Sequence, residues 1–398
     1  MADAASDSMH KLPFDAARLD RLLDERGIDV LLVTSKHNIQ YLLGGYRFFF
    51  FDYMDAIGIS RYLPILIYPK GKPENAVYIG NRLEVFEKQL DRFWTPVAEM
   101  ASSGSADAMQ VALEHVNKLV GPHGRIGIEP PFLPSDSADI LRANLGNREI
   151  VDAQRPLELL RSRKSPAELE FIRAASELVV DSMRATFTSC RPGMTKRHLV
   201  ETLRREEVNR GLTFEYCLFS AGTSLNRAPS NQVLAQGDIF SLDSGGNYRG
   251  YIGDLCRMGV LGEPDAELED LLGIINAIQM KARQPIKPGA RGGDIFVAAR
   301  ELIEASQHRD YLDFVAHGMG LVSHEAPRLT SQGPVQYPGD DEALGLESGM
   351  VISIETAMLH PRRGFIKLED TVVVTEQGHE AFGDSARDWN RGALSAPV

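Results

Sequence analysis

Carboxylates stand in the middle of two predicted strand pairs whose other residues read as core, and no other feature of the chain constrains its fold as strongly. The segment Met350-Val-Ile-Ser-Ile-Glu355-Thr leads through a turn at His360-Pro-Arg-Arg-Gly364 into Phe365-Ile-Lys-Leu-Glu369-Asp370. Glu355 and Glu369 lie symmetrically about Arg362, so an antiparallel hairpin sets them face to face with Cβ atoms roughly 5 Å apart. The segment Asp238–Arg257 has the same form of strand, Gly-rich turn and strand, with Asp243 and Asp254 symmetric about Tyr248–Arg249. Buried like charges at that range cost several kcal/mol unless they are paired or bind a cation.

Between the hairpins lies Phe314-Val-Ala-His317-Gly-Met-Gly-Leu-Val-Ser-His324, whose glycines permit close backbone approach beside His317. Two Asp, two Glu and one His carry four negative charges, which two divalent cations would balance. Oxygen-rich ligation with one imidazole suits Mn, Fe, Co or Zn. Ions roughly 3.5–4 Å apart activate water at neutral pH, and His324 is placed to polarise a substrate carbonyl or move a proton. Each element alone has a plainer reading. A single carboxylate pair is usually a solvated hairpin edge, His-Gly-x-Gly usually a turn, and a lone His usually a surface or satisfied core residue. Their conjunction in chain order is what points to a site.

The first half of the chain alternates helix and strand. Ala16, Leu19, Leu22 and Leu23 form a helical stripe over 15–26, and Gly27 reads as its stop. Strands are predicted over 28–33, 59–68, 76–79 and 124–128, and a helix over 106–120, an α/β arrangement. At Ser165-Pro-Ala-Glu168 a capping box opens a long helix, which places a domain boundary near residue 160. Residues 1–160 then form a smaller α/β domain. Residues 161–398 read as α+β, with helices over roughly 166–188, 195–210, 265–284 and 293–307 packed on an antiparallel sheet.

Lys and Arg number 43 against 55 Asp and Glu, a net charge of −12, so the chain lacks the basic footprint of a nucleic-acid binder. Cys190, Cys217 and Cys256 form no disulfide framework, which fits a reducing compartment. Met1–Leu12 has neither a basic n-region nor an apolar h-region, and no run approaches the ~20 apolar residues of a membrane span. A cytoplasmic protein without membrane partners is expected. Arg47-Phe-Phe-Phe-Phe-Asp-Tyr53 reads as an aromatic lip on a substrate site or, more simply, as a core segment. Cys256 shares the strand face of Asp254 and reads as a packed thiol before a ligand. Gly292-Gly293 reads as a helix start, because no Lys-Ser/Thr follows to make a phosphate loop.

The order Asp243, Asp254, His317, Glu355, Glu369 resembles the five-ligand set of the creatinase/prolidase/methionine aminopeptidase family, with its pita-bread catalytic fold. The block Asp243-x-Gly-x-x-Tyr248-x-Gly-Tyr251-x-Gly-Asp254-x-x-Arg257 is similar to the aminopeptidase P and prolidase branch. Residues 160–398 carry the resemblance; the first half resembles that branch's extra domain in arrangement and in Asn38-Ile-Gln-Tyr41-Leu-Leu-Gly44. The resemblance implies two divalent ions, with Asp243 on one, His317 and Glu355 on one each, and Asp254 and Glu369 bridging. It makes Glu355 the proton shuttle as well and sets His324 against the substrate. It further implies a homodimer that hydrolyses an amide or other C–N bond in a small polar molecule, with prolidase-like dipeptides or short peptides first among substrates.

Three positions depart from the proline-specific pattern. Asn226, seventeen residues before Asp243, stands where those members carry a substrate-facing His, and Asp313, four before His317, replaces another. Lys367, two before Glu369, replaces a common Arg. These are the expected substrate-binding positions beside His324. They keep open creatinase-like hydrolysis or lyase chemistry on a non-peptide metabolite, and a catalytically silent peptide-binding module remains the alternative of another class.

Overall fold

The computed structural model describes residues 12–55, 58–330, 339 and 341–392. The expectation of no leader, read on Met1–Leu12, lies outside these residues but for Leu12. Two compact units divide the chain, Met1–Arg161 and Ser162–Val398.

In the first unit, α1 (Ala16–Arg26) starts where the Asp15 carboxylate accepts the Arg18 N–H at 2.9 Å and ends at Gly27, φ +63°. A six-stranded sheet follows, of β1 (Val30–Val33), β2 (Ile65–Pro69), β3 (Val77–Asn81), β4 (Val97–Ser102), β5 (Arg125–Ile128) and β6 (Glu149–Asp152), in the order β4-β3-β2-β1-β5-β6. The helices α2 (Lys36–Leu42), α3 (Val85–Gln89), α4 (Ser105–Leu119), α5 (Ser135–Ala143) and α6 (Gln154–Ser162) connect or follow these strands. The strand expected over 59–68 is shorter, because pairing covers only Ile65–Pro69 and Ile59 is exposed. The aromatic segment divides. Phe48 and Phe51 enter the core, whereas Phe49 and Tyr53 stay exposed.

The second unit opens with α7 (Pro166–Ser189), whose capping box is formed as read. The Glu168 carboxylate accepts the Ser165 N–H at 2.8 Å, and Ser165 Oγ accepts the Glu168 N–H. Then come α8 (Lys196–Asn209), β7 (Thr213–Ala221), β8 (Ile239–Tyr248), β9 (Tyr251–Leu261), α9 (Ala266–Arg283), α10 (Gly293–Ala305), β10 (Leu312–Gly318), β11 (Val351–His360) and β12 (Gly364–Val374). The short strands β13 (His379–Phe382) and β14 (Asn390–Gly392) pair with β12 and β9. The main path runs β10-β11-β12-β9-β8-β7, and each of these neighbouring pairs is antiparallel. Gly253 shows how tightly the helices lie on it. A Cβ there would sit 2.6 Å from the Ser176 backbone nitrogen of α7, so only glycine admits the helix.

Glu355 pairs with Glu369 across β11 and β12, as the symmetry about Arg362 predicts. The other hairpin turns one residue later than expected. Tyr248 pairs with Tyr251, leaving Arg249 at φ +54° and Gly250 at φ +97° as a two-residue connection of the kind favoured by the right-handed strand twist. Asp243 therefore faces Cys256, and Asp254 faces Gly245. The displacement of the pairing is even, so both carboxylates keep the same sheet face. No helix among the described residues is long and apolar enough to cross a membrane.

Candidate metal centre

Successive strand pairings set Val315, Glu355, Glu369, Cys256 and Asp243 in one row across β10, β11, β12, β9 and β8. Side chains two residues apart on a strand share a face. The next row on this face holds His317, Ser353 and Thr371, with Asp254 two residues from Cys256. The row on the other side holds Asp313, Ala357 and Lys367. All five expected ligands and Lys367 thus come from the middle of one sheet face.

His317 is buried, with Nε2 3.1 Å from Glu355 Oε1 and Nδ1 3.2 Å from the Gly318 carbonyl. Gly318 is required beside it, since a Cβ would lie 2.4 Å from the Ala326–Pro327 backbone. Ser353 Oγ donates to Glu369 Oε1 at 2.8 Å. The Lys367 ammonium, 5% exposed, lies 2.7 Å from Asp243 Oδ2, 2.6 Å from Glu355 Oε2 and 2.8 Å from Glu369 Oε2. The Arg227 guanidinium also reaches Asp243 Oδ2 and lies 4.7 Å over the Phe365 ring. The His324 ring stacks on His317 at 3.7 Å between centroids and 22° between planes.

The charges in this enclosure shape one another. Burial, then the nearby Glu369 and Asp243, push Asp254 well above the usual carboxylate range. Burial, with Glu355 and Asp243 adding to it, pushes Glu369 up to about 7. For Glu355 burial acts the same way but is outweighed by Lys367 and His317, which hold its carboxyl well below the ordinary value. Burial opposes the charge of Lys367 and is outweighed by Asp243, Glu355 and Glu369, so its pKa lies well above that of a free lysine. Burial and the neighbouring His317 push His324 down to about 3. Burial first, and then Asp243, raise the Cys256 thiol, consistent with a packed thiol.

Asp254, His317 and Glu369, all buried, each offer a ligand atom, and the three atoms lie within 4.8 Å of one another. Glu369 Oε2 has no directed hydrogen bond despite its burial, although the Lys367 ammonium is close. Two carboxylates and one imidazole in a closed enclosure are a donor set that fits a divalent cation.

A cavity of about 940 Å³ adjoins the cluster, with Arg227, Arg300, Asp313, Glu355, Phe365 and Lys367 among its lining residues. Asp313 therefore sits on the cavity wall. Asn226 does not: it is exposed, and its Oδ1 accepts the Ala228 N–H at 2.8 Å, closing its own turn. Behind the sheet, Arg257 donates to the backbone carbonyls of Glu369 at 2.7 Å, Cys256 at 2.9 Å, Gly383 at 2.8 Å and Ser385 at 2.7 Å. It also pairs with Asp370 at 3.2 Å, so the motif arginine holds the strand that carries Glu369.

Three residues at the site were not read from the sequence. Ser353 was accessible, since it lies two positions from Glu355 on the same face. Arg227 sits in the loop before β8 next to the position that was singled out. Tyr216 on β7 lies near Asp254, burial first and then that carboxylate raising its hydroxyl well above the usual range, and its ring fills the space where a Gly245 Cβ would lie, 2.5 Å away.

Residues 170–376 match the model of metallopeptidase family M24, and residues 16–163 match the creatinase/prolidase N-terminal domain. The Xaa-Pro dipeptidase of Pyrococcus horikoshii is 26% identical over 383 residues, covering 93% of this chain and 97% of that protein. An uncharacterized peptidase of Staphylococcus aureus is 29% identical over 374 residues, covering 92% and 98%. A solved dipeptidase structure from Pyrococcus horikoshii matches with a TM-score of 0.79 at 24% identity, covering 95% of this chain and 99% of that one. The second unit has the pita-bread fold.

Proposed function

Because the chain belongs to the metallopeptidase family M24, we propose that it hydrolyses an amide C–N bond in a short peptide, an Xaa-Pro dipeptide foremost, with a divalent metal ion bound. The observation that carries this reading is the buried Asp254–His317–Glu369 cluster beside a cavity whose wall includes Glu355. Asp254, His317 and Glu369 would hold the ion, with Asp243 and Glu355 in the same enclosure, and Mn, Fe, Co and Zn all suit such donors. A bound divalent ion supplies Lewis acidity toward a carbonyl oxygen and lowers the pKa of water.

Glu355 belongs both to the carboxylate row and to the cavity wall. In this reading it accepts the proton of the attacking water as the new C–O bond forms, then delivers it to the leaving nitrogen as the C–N bond breaks. His324, flat against His317, offers a ring N–H to the substrate carbonyl. Lys367 and Arg227 hold the carboxylates of Glu355 and Asp243 in place.

A second reading, hydrolysis or lyase chemistry on a charged non-peptide metabolite, draws on the cavity lining. Asp313, Arg227 and Arg300 present charge to the substrate space. A panel of Xaa-Pro dipeptides against creatine-like and betaine-like compounds, assayed on chelated protein before and after addition of Mn or Co, tests both. Metal-dependent turnover of the dipeptides supports the first reading, and turnover of only the non-peptide compounds supports the second. Absence of both turnover and metal binding refutes the two together. Glu369→Ala is expected to lose metal binding and turnover alike. The reading extends to a cytoplasmic homodimer, whose mass light scattering would measure.

A further inference from the structure

We propose that the Lys367 ammonium is itself one of the two cations this centre was expected to hold, so that each chain binds one divalent ion tightly, at Asp254, His317 and Glu369. The inference rests on the metal-dependent reading above and concerns how the site is filled.

Charge and geometry agree on it. Asp243, Asp254, Glu355 and Glu369 bring four carboxylates onto one sheet face. Lys367 and Arg227 bring two side-chain cations to the same oxygens, Lys367 with Nζ between 2.6 and 2.8 Å from three carboxylates and Arg227 on Asp243. The formal charge that remains is that of two unpaired carboxylates, which a single divalent ion neutralises; a second ion would leave the buried cluster with excess positive charge. An ion bound by Asp243, Glu355 and Glu369 would also need the volume that Nζ fills. Lys367 is held there by the register, since it is two residues from Glu369 on the same strand face and is buried. The donors that the ammonium leaves free of direct contact are the Asp254 carboxylate and the His317 ring, and with Glu369 they make the three-residue cluster.

Calorimetric titration of chelated protein with Mn²⁺, together with the electron paramagnetic resonance of the loaded protein, tests the proposal without an activity readout. The wild type is expected to take up one Mn²⁺ per chain, with the six-line spectrum of an isolated ion. Lys367→Met, which removes the ammonium and keeps much of the stem's volume, is expected to take up a second Mn²⁺ and to show the spectrum of a coupled pair. Two ions of similar affinity in the wild type, or a coupled spectrum there, would overturn the proposal. A Lys367→Met protein that folds and still holds one ion would overturn it too. If that variant does not fold, the wild-type stoichiometry and spectrum decide alone. No Mn²⁺ uptake by the wild type would instead refute the metal-dependent reading beneath it.

Discussion

Glu207 on α8 is fully buried, and Ser244 Oγ lies 2.9 Å from its Oε1 and 2.7 Å from the Tyr216 carbonyl oxygen. A serine hydroxyl has one hydrogen to give. The carbonyl can only accept, so once that hydrogen goes to Tyr216 the contact with Glu207 requires a proton on the carboxyl. Burial works in the same direction: it pushes Glu207 up to about 7, with the nearby Arg204 opposing it. A carboxyl raised in the fold from 4.5 contributes stability that is fully present below that value and is lost as pH rises through about 7. At about 1.4 kcal/mol per pH unit, the loss amounts to about 3 kcal/mol by pH 8. Glu207→Gln keeps the shape and donates an N–H to Ser244 Oγ at every pH. In urea unfolding at constant ionic strength, variant and wild type should match near pH 5. They should diverge with pH until the variant is more stable by about 3 kcal/mol at pH 8. A difference that stays flat across that range would refute the protonated carboxyl and the hydrogen-bond direction deduced from it.

Two further predictions concern the scaffold. Asp370 is buried among Arg257 at 3.2 Å, Arg283 at 2.8 Å and Arg387, so Asp370→Asn leaves buried guanidinium charge uncompensated and should cost about 3–5 kcal/mol in denaturant unfolding. Gly253→Ala forces a methyl against the α7 backbone and should destabilise by about 1–3 kcal/mol, read as a lowered urea midpoint with an unchanged slope.

The register of β11 and β12 was legible because the alternation of Val, Ile and Leu around Glu355 and Glu369 leaves one way to bury both strands. The register of β8 and β9 was misplaced by the turn, since Arg249 gives no outward sign that it adopts a left-handed conformation before Gly250. The long helices of the second unit follow their apolar period closely. In the first unit α2 was not read, because it buries Asn38 and Gln40, and a polar interior face has no hydrophobic stripe. Five residues of the centre were visible as a set, and the alternation Lys367, Glu369 even placed the lysine on their face. What the sequence could not show is that this side chain, besides lining the cavity, lies within 2.8 Å of three carboxylates. Tyr216 and Arg227 arrive from a strand and a loop whose positions depend on tertiary packing, where no local period points to them.

The pairing of β12 with β9 joins Glu369 to Cys256, segments more than a hundred residues apart in the chain. The row of acidic side chains is therefore incomplete until β12 has been synthesised and has docked. A nascent chain still short of β12 offers only fragments of the centre. On the proposed metal-dependent reading, a loaded molecule would then be one whose sheet has already closed, and the ion would mark finished topology.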